Sequence, residues 1–259
     1  MSAMSALGAI AMLTAVAFAL TTADRYATRG RVHELAWTQS MMMFAVASGA
    51  YWSAGAIGWS EWNFRLFYLF GAILNVPYLA IGTIALLGGQ ALGRSVLTRA
   101  RLVAVFCAGI VLAAPLRAPV PAVGLPEGKQ LFGPAPRVMA AVGSGVGATV
   151  LLVGALWSIR TLVNQRRRPL GGTVPIMSAG RLAVTNALIA TGTIVLSLGG
   201  LFFSGSEREL AFGAFLVAGI AVLFAGFMVS SQAHPDAAPP EPPESFDGYY
   251  RELWEIAHS

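Results

Sequence analysis

Seven apolar stretches occupy most of this 259-residue chain, near residues 4–22, 35–58, 64–88, 102–118, 138–160, 182–204 and 209–230. A helix needs roughly 20 mostly apolar residues to cross about 30 Å of hydrocarbon at 1.5 Å per residue. Lipid offers nothing to a bare peptide group, so a spanning segment must satisfy its own backbone, as a helix does. The stretches therefore predict an all-α polytopic membrane bundle of about seven transmembrane helices. Charged residues make up only 11% of the chain, against about 25% in soluble domains. The fourth stretch is the shortest: it reaches only from Leu102 to Leu116 before Arg117, with Pro115 in its last turn. Snorkelling by Arg101 and Arg117 would carry it across. The alternative is six spans with a re-entrant fourth segment.

Basic residues set the orientation. Arg25, Arg29, Arg31, Arg94, Arg99, Arg101, Arg160, Arg166, Arg167, Arg168 and Arg181 follow the first, third and fifth stretches. The other side carries Arg65, Arg117, Lys129, Arg137 and Arg208. The positive-inside rule makes the richer side cytoplasmic, with the N-terminus outside and the C-terminus inside. The first stretch has no basic residue before it and Arg25 after it, the flank order of an N-out anchor rather than of a cleaved signal.

The net charge of +5 does not imply nucleic acid as a partner. Asp236, Glu241, Glu244, Asp247, Glu252 and Glu255 are half of the twelve acids and lie in the tail, so the membrane part is more basic than the total suggests. Arginines at span ends match attraction to anionic headgroups, and Arg166-Arg167-Arg168 is read as such an anchor. The lipid bilayer is thus the first expected partner. Cys107 is the only cysteine, which excludes an intrachain disulfide and a thiolate metal site.

Three units are expected: the transmembrane domain 1–232, a Pro-rich linker 233–243 and a short amphipathic cytoplasmic helix 244–259. In the last unit Phe246, Tyr250, Leu253 and Trp254 form one stripe, with Arg251, Glu252 and Glu255 facing away. So short a helix is marginal alone and needs a surface. That surface is either the bundle's own arginine-lined face or a partner protein. Two connections are long. Ala118–Pro136 holds five prolines and should be a stiff loop lying back on the outer face through Leu125, Leu131 and Phe132. Thr161–Arg181 reads as a surface loop. Gly143 and Gly147 form a small-xxx-small pair, and Gly199, Gly200, Gly213, Gly219 and Gly226 serve the last two spans, which lets backbones approach closely.

An ionisable residue at mid-membrane would point to function. Here each Asp, Glu, Lys, Arg and His is expected at a span end, in a loop or in the tail. His33, His234 and His258 are poorly placed for haem, Asp24, Asp236 and Asp247 are scattered, and Lys129, the only lysine, is in a loop. No cofactor, metal site or catalytic residue is expected. Asn75, Thr83 and Tyr78 near Pro77, together with Asn186, are read as interhelical glue; the alternative places Asn75, Tyr78 and Asn186 around a polar cavity for a small ligand. The densest feature is aromatic: Tyr51, Trp52, Trp59, Trp62, Phe64, Phe67, Tyr68 and Phe70 crowd the outer ends of spans two and three. An interfacial belt accounts for much of this. The sharper expectation is a ligand pocket built from Tyr51, Trp52, Trp59, Trp62, Arg65, Tyr68, Asn75 and Tyr78, closed by the Pro-rich loop. Glu61 and Arg65 are four residues apart and able to pair.

The run Arg65-Leu-Phe-Tyr-Leu-Phe-Gly-Ala-Ile-Leu-Asn-Val-Pro-Tyr-Leu-Ala-Ile-Gly-Thr, after Trp59-Ser-Glu-Trp, resembles the third span of a group of uncharacterised bacterial multi-pass membrane proteins. That resemblance covers mainly residues 59–83 and implies no activity. The expected role is a non-catalytic accessory, sensory or scaffolding subunit of the bacterial plasma membrane. The alternative is a carrier or binding protein for an apolar or amphipathic small molecule.

Overall fold

In the computed structural model, residues 3–122, 124–167, 176–201 and 208–231 are described. They form α1 (Ala3–Arg29), α2 (Val32–Ile57), α3 (Glu61–Gly88), α4 (Gln90–Ala113), α5 (Pro134–Arg167), α6 (Ile176–Leu201) and α7 (Arg208–Ser231), with one short helical turn at Gly128–Leu131. Among the described residues there is no strand, only an isolated antiparallel bridge between Leu116 and Phe132. Among the described residues, five segments are long and apolar enough to cross a membrane: α1, α3, α4, Pro134–Thr161 of α5 and Glu209–Val229 of α7. In α6 the apolar part is the shorter Ala183–Gly199.

Helix α2 occupies the centre, packed against α1, α3 and α4, and Tyr51 and Trp37 reach α7. Its neighbours are helices rather than lipid, so it tolerates His33, Glu34, Ser40 and Ser48 on its buried face. Helices α1 and α7 run in the same direction. Phe18 meets Phe224 and Phe227 near their C-terminal ends, and Leu7 abuts Gly213 near their N-terminal ends. At the edge stands α4, with 17% of its apolar stretch buried in the protein, against 61% for α3.

Several boundaries differ from those expected. Helix α1 continues through Arg25 to Arg29. The fourth helix is not the weak one: it begins at Gln90 and spans 24 residues, about 36 Å. Only Gly89, at φ +89°, separates it from α3, so Arg94, Arg99 and Arg101 ride on helix rather than on a loop. Pro115 is not in its last turn; α4 ends at Ala113 because the proline drives Ala114 into extended geometry. Conversely, Pro134 and Pro136 start α5 instead of ending a loop, since the first helical turn does not need their missing N–H groups. Residues 161–167 and 176–181 extend α5 and α6, where a surface loop is expected. The linker 233–243 and the tail stripe Phe246, Tyr250, Leu253 and Trp254 lie outside the described residues.

Proline 77 shapes α3. It has no N–H to offer, and the preceding segment Phe67–Leu74 widens into a π-helix. Five residues before Pro77, the Ala72 carbonyl accepts from Ser144 Oγ at 2.6 Å. Close approach of α5 makes that bond available. A Cβ on Gly143 would lie 2.8 Å from the Ile73 carbonyl, and one on Gly147 would lie 3.0 Å from Pro77 N. The small-xxx-small pair thus seats the kink. Gly219 and Gly226 do the same between α6 and α7, against Leu196 and Leu188.

Candidate functional site

At one end of the bundle the Pro-rich connection folds back as a cap. Arg117 N donates to Leu131 O at 2.9 Å, beside the Leu116–Phe132 bridge. Trp59 N donates to Ala122 O at 3.2 Å. Leu131 and Phe132 are buried, as a loop that apolar requires. Ser60 caps the start of α3 by accepting from Asn63 N, and Asn63 Nδ2 donates to Ser53 Oγ on α2.

Arg65 is the centre of this cap. It is 6% exposed, although it sits one turn into α3. Nε and Nη2 donate to Glu61 Oε1 at 2.9 and 2.6 Å. Nη1 donates to the Val111 carbonyl, and Nη2 also to Ala114 O at 2.9 Å. These are carbonyls that the end of α4 leaves without helical partners. A cation there satisfies them and complements the negative end of the helix dipole. The guanidinium also lies 5.7 Å from the centroid of the Phe132 ring. Arg65 therefore joins α3, α4 and the loop.

The aromatic residues do not line an empty pocket. Tyr51, Trp59 and Phe67 pack with Phe212 of α7, with centroids 5.3 to 6.5 Å apart. Phe64 and Tyr68 pack with Phe132 at 5.1 and 4.9 Å. Tyr51 Oη donates to Glu209 O at 2.5 Å, tying α2 to the start of α7. Rings from α2 and α3, from the Pro-rich connection and from α7 thus pack on one another there. Trp62 is 66% exposed and Trp52 39% exposed, both outside this packing. The hydroxyl of Ser40 lies 2.7 Å from Asn75 Oδ1 between α2 and α3. Tyr78 packs with Val32, Ala36 and Ile81. Asn186 Nδ2 donates to Ser158 Oγ at 2.8 Å between α5 and α6. Asn75 and Asn186 thus stand at two different helix interfaces, each hydrogen-bonded across its own.

A cleft does open beside the cap, with a volume of about 520 Å³. It is lined by two segments of the chain, Trp59, Ser60 and Glu61 around the start of α3, and Leu116, Arg117, Ala118, Pro119 and Val120 from the connection after α4. Of the eight residues expected to bind ligand, it uses Trp59 alone. The carboxylate of Glu61 is 57% exposed even though Arg65 holds its Oε1. Trp59 Nε1 is buried without a hydrogen-bond partner.

The opposite, arginine-rich end holds the group that inspection of the spans misses. Glu34 is 2% exposed in the first turn of α2, and its Oε2 has no hydrogen-bond partner. His33 Nε2 stands 4.0 Å from its Oε1. Trp37 Nε1 is likewise buried and without a partner; its ring meets Phe227 edge-on at 6.1 Å and His33 at 5.3 Å. Arg25 lies over Phe227, 4.6 Å from the centroid. Thr38 Oγ1 donates to Thr22 Oγ1 at 2.8 Å, holding α2 to α1 nearby. His33 and Glu34 are therefore at the end of α2, as expected, but packed inside the protein. A signal was present: Glu34, Trp37, Met41, Phe44, Ser48 and Tyr51 recur at helical spacing and all are buried.

Among the described residues no three His, Cys, Asp or Glu side chains stand close enough to hold a metal ion. No protein-family model, no curated protein and no solved structure matches the chain.

Proposed function

We propose that this chain is a seven-span protein of the bacterial plasma membrane, with its N-terminus outside and its C-terminus in the cytoplasm. It works by contact, as an accessory, sensory or scaffolding subunit, and not as an enzyme. The observation that carries this reading is the edge position of α4. Its apolar stretch is only 17% buried in the protein, and Leu102, Val105 and Phe106 are 71%, 74% and 63% exposed. That face is free for another membrane helix. A second contact is proposed at the tail, through Phe246, Tyr250, Leu253 and Trp254. Alternating helix direction supports the orientation, because it gathers Arg25, Arg29, Arg94 and Arg160 at one end of the bundle.

Photo-crosslinking tests the role. A photoreactive residue at Val105 should yield a discrete protein adduct in membranes, whereas one at the buried Val111 should not. Lipid adducts alone at both sites overturn the contact reading at α4. Replacing Leu253 and Trp254 together with Asp should release a co-purifying partner and leave the bundle inserted. For orientation, a cysteine at Lys129 should react with an impermeant reagent on intact cells, and one at Thr28 should not, in a Cys107→Ser background. The reverse pattern inverts the proposed topology.

The cleft beside the cap favours a second reading, a binding site for an amphipathic small molecule. It offers an apolar wall together with two exposed side chains of opposite charge, Glu61 and Arg117.

A further inference from the structure

The cleft beside the cap has a built polar floor. Glu61 is held in place, because Arg65 grips its Oε1 through both Nε and Nη2. Arg65 itself is immobilised by the carbonyls of Val111 and Ala114. The second carboxylate oxygen of Glu61 is not used by Arg65, and the side chain is 57% exposed. Also lining the cleft, Arg117 has its main chain clamped to Leu131 O at 2.9 Å, while its side chain is exposed. Arg117 forms no ion pair among the described residues. The neighbouring cation Lys129 is already engaged by Glu127 at 2.8 Å. The same cleft is lined by Trp59 and by the apolar residues Leu116, Ala118, Pro119 and Val120.

We propose that this cleft binds a phosphoethanolamine group, with the phosphate on Arg117 and the ammonium on the free oxygen of Glu61. The proposal rests on the small-molecule reading of the cleft and names its ligand class. The chemistry selects the class. A guanidinium recognises a phosphate with two parallel N–H donors. An anionic headgroup with no cation would satisfy Arg117 but bring only neutral hydroxyl donors to the Glu61 carboxylate, without the opposite charge that an ammonium supplies. A choline headgroup carries a cation with no N–H to give to Glu61. Phosphoethanolamine serves both groups at once, and the apolar wall suits the glycerol and first acyl carbons of a lipid that carries it. The same chemistry is available from a bilayer lipid or from a free molecule.

The test uses the full-length protein, delipidated in mild detergent, and titrations with short-chain phosphatidylethanolamine, phosphatidylcholine and phosphatidylglycerol, read by native mass spectrometry and by melting temperature. Phosphatidylethanolamine should bind saturably and about tenfold more tightly than the other two, the scale of one charge-assisted hydrogen bond. Arg117→Gln should weaken it about tenfold and leave the melting temperature of the lipid-free protein unchanged, since that side chain is exposed. Glu61→Gln keeps an acceptor for Arg65 and should abolish the preference over phosphatidylglycerol. Free phosphoethanolamine that displaces the lipid identifies the headgroup alone as sufficient; failure to displace it, with lipid binding intact, makes the bilayer lipid the ligand. Either result supports the shared chemistry. Equal binding of the three lipids, unaffected by Arg117→Gln, overturns the proposal and leaves a cleft for amphiphiles in general. No saturable binding of any of them overturns the small-molecule reading as well.

Discussion

The two ends of the bundle treat their buried charged groups differently, although each also holds an indole N–H without a partner, Trp59 at the cap and Trp37 at the other end. At the cap end, Arg65 is buried with its donors directed at Glu61 and at the carbonyls of Val111 and Ala114. At the arginine-rich end, Glu34 and Trp37 are buried as deeply, yet Glu34 Oε2 and Trp37 Nε1 have no hydrogen-bond partner. A satisfied buried charge joins elements. An unsatisfied buried polar atom forfeits about 1–3 kcal/mol of desolvation and gives nothing back to the fold. The comparison teaches that the buried charge of Arg65 is structural, while the opposite end holds a buried carboxylate that packing alone does not explain.

Four substitutions break or sharpen that contrast. The largest effect belongs to Arg65→Ala. It strips the last turn of α4 of its cap and should lower stability by about 3 kcal/mol, measured by unfolding in mixed lipid–SDS micelles. The Glu61 component is discounted here because that carboxylate is half exposed. A loss below about 1 kcal/mol means that Arg65 is not a joint, and the contrast fails at the cap.

Next is Gly82→Ala. A Cβ at Gly82 would lie 2.0 Å from Trp37 Nε1, and Trp37 is 2% exposed with nowhere to retreat. The expected loss is about 2 kcal/mol in the same assay, together with altered tryptophan fluorescence. An unperturbed spectrum would mean that the indole is not wedged against α3.

Third, Glu34→Leu should run the other way and raise stability by about 1 kcal/mol, by removing a carboxylate oxygen buried without a partner. A loss of similar size would show that the carboxylate does bind the fold together, through Arg25, Arg29 or Arg31 nearby, and would erase the difference between the ends.

The smallest effect is expected for Trp62→Ala. This indole is 66% exposed, outside the aromatic packing, and its loss should change the melting temperature by no more than about 0.5 kcal/mol implies. A larger drop would mean that the exposed ring contributes as much as the buried cluster of Tyr51, Trp59 and Phe67.

How legible the molecule is from its residues depends on the range of the interaction. The Glu61–Arg65 pair is local, four residues apart on one helix, and it forms. Its other partners are distant: nothing in the string around Arg65 announces Val111 or Ala114. Gly143 and Gly147 announce a close approach, but not that it falls on the kink at Pro77. The aromatic crowding at Tyr51–Phe70 is plain in the string. Its closure by Phe132 and Phe212 is not, because those rings arrive from a loop and from the last helix. That closure turns an expected pocket wall into core and shifts the open space to the rim, where Arg117 and Glu61 stand.

By itself the sequence determined the solvent, the all-helical class, the approximate place of each helix and the small residues that let helices meet. These follow from local composition and spacing: apolar length, the absence of N–H at proline and the absence of Cβ at glycine act wherever the residues sit. Only the tertiary structure decided which helix is central and which stands at the edge, and whether a buried charged group meets hydrogen-bond partners at each of its atoms. It also decided where the rings close and where a cleft remains. Those outcomes depend on partners brought from far along the chain, and burial is a property of the neighbours a side chain acquires, not of the side chain itself.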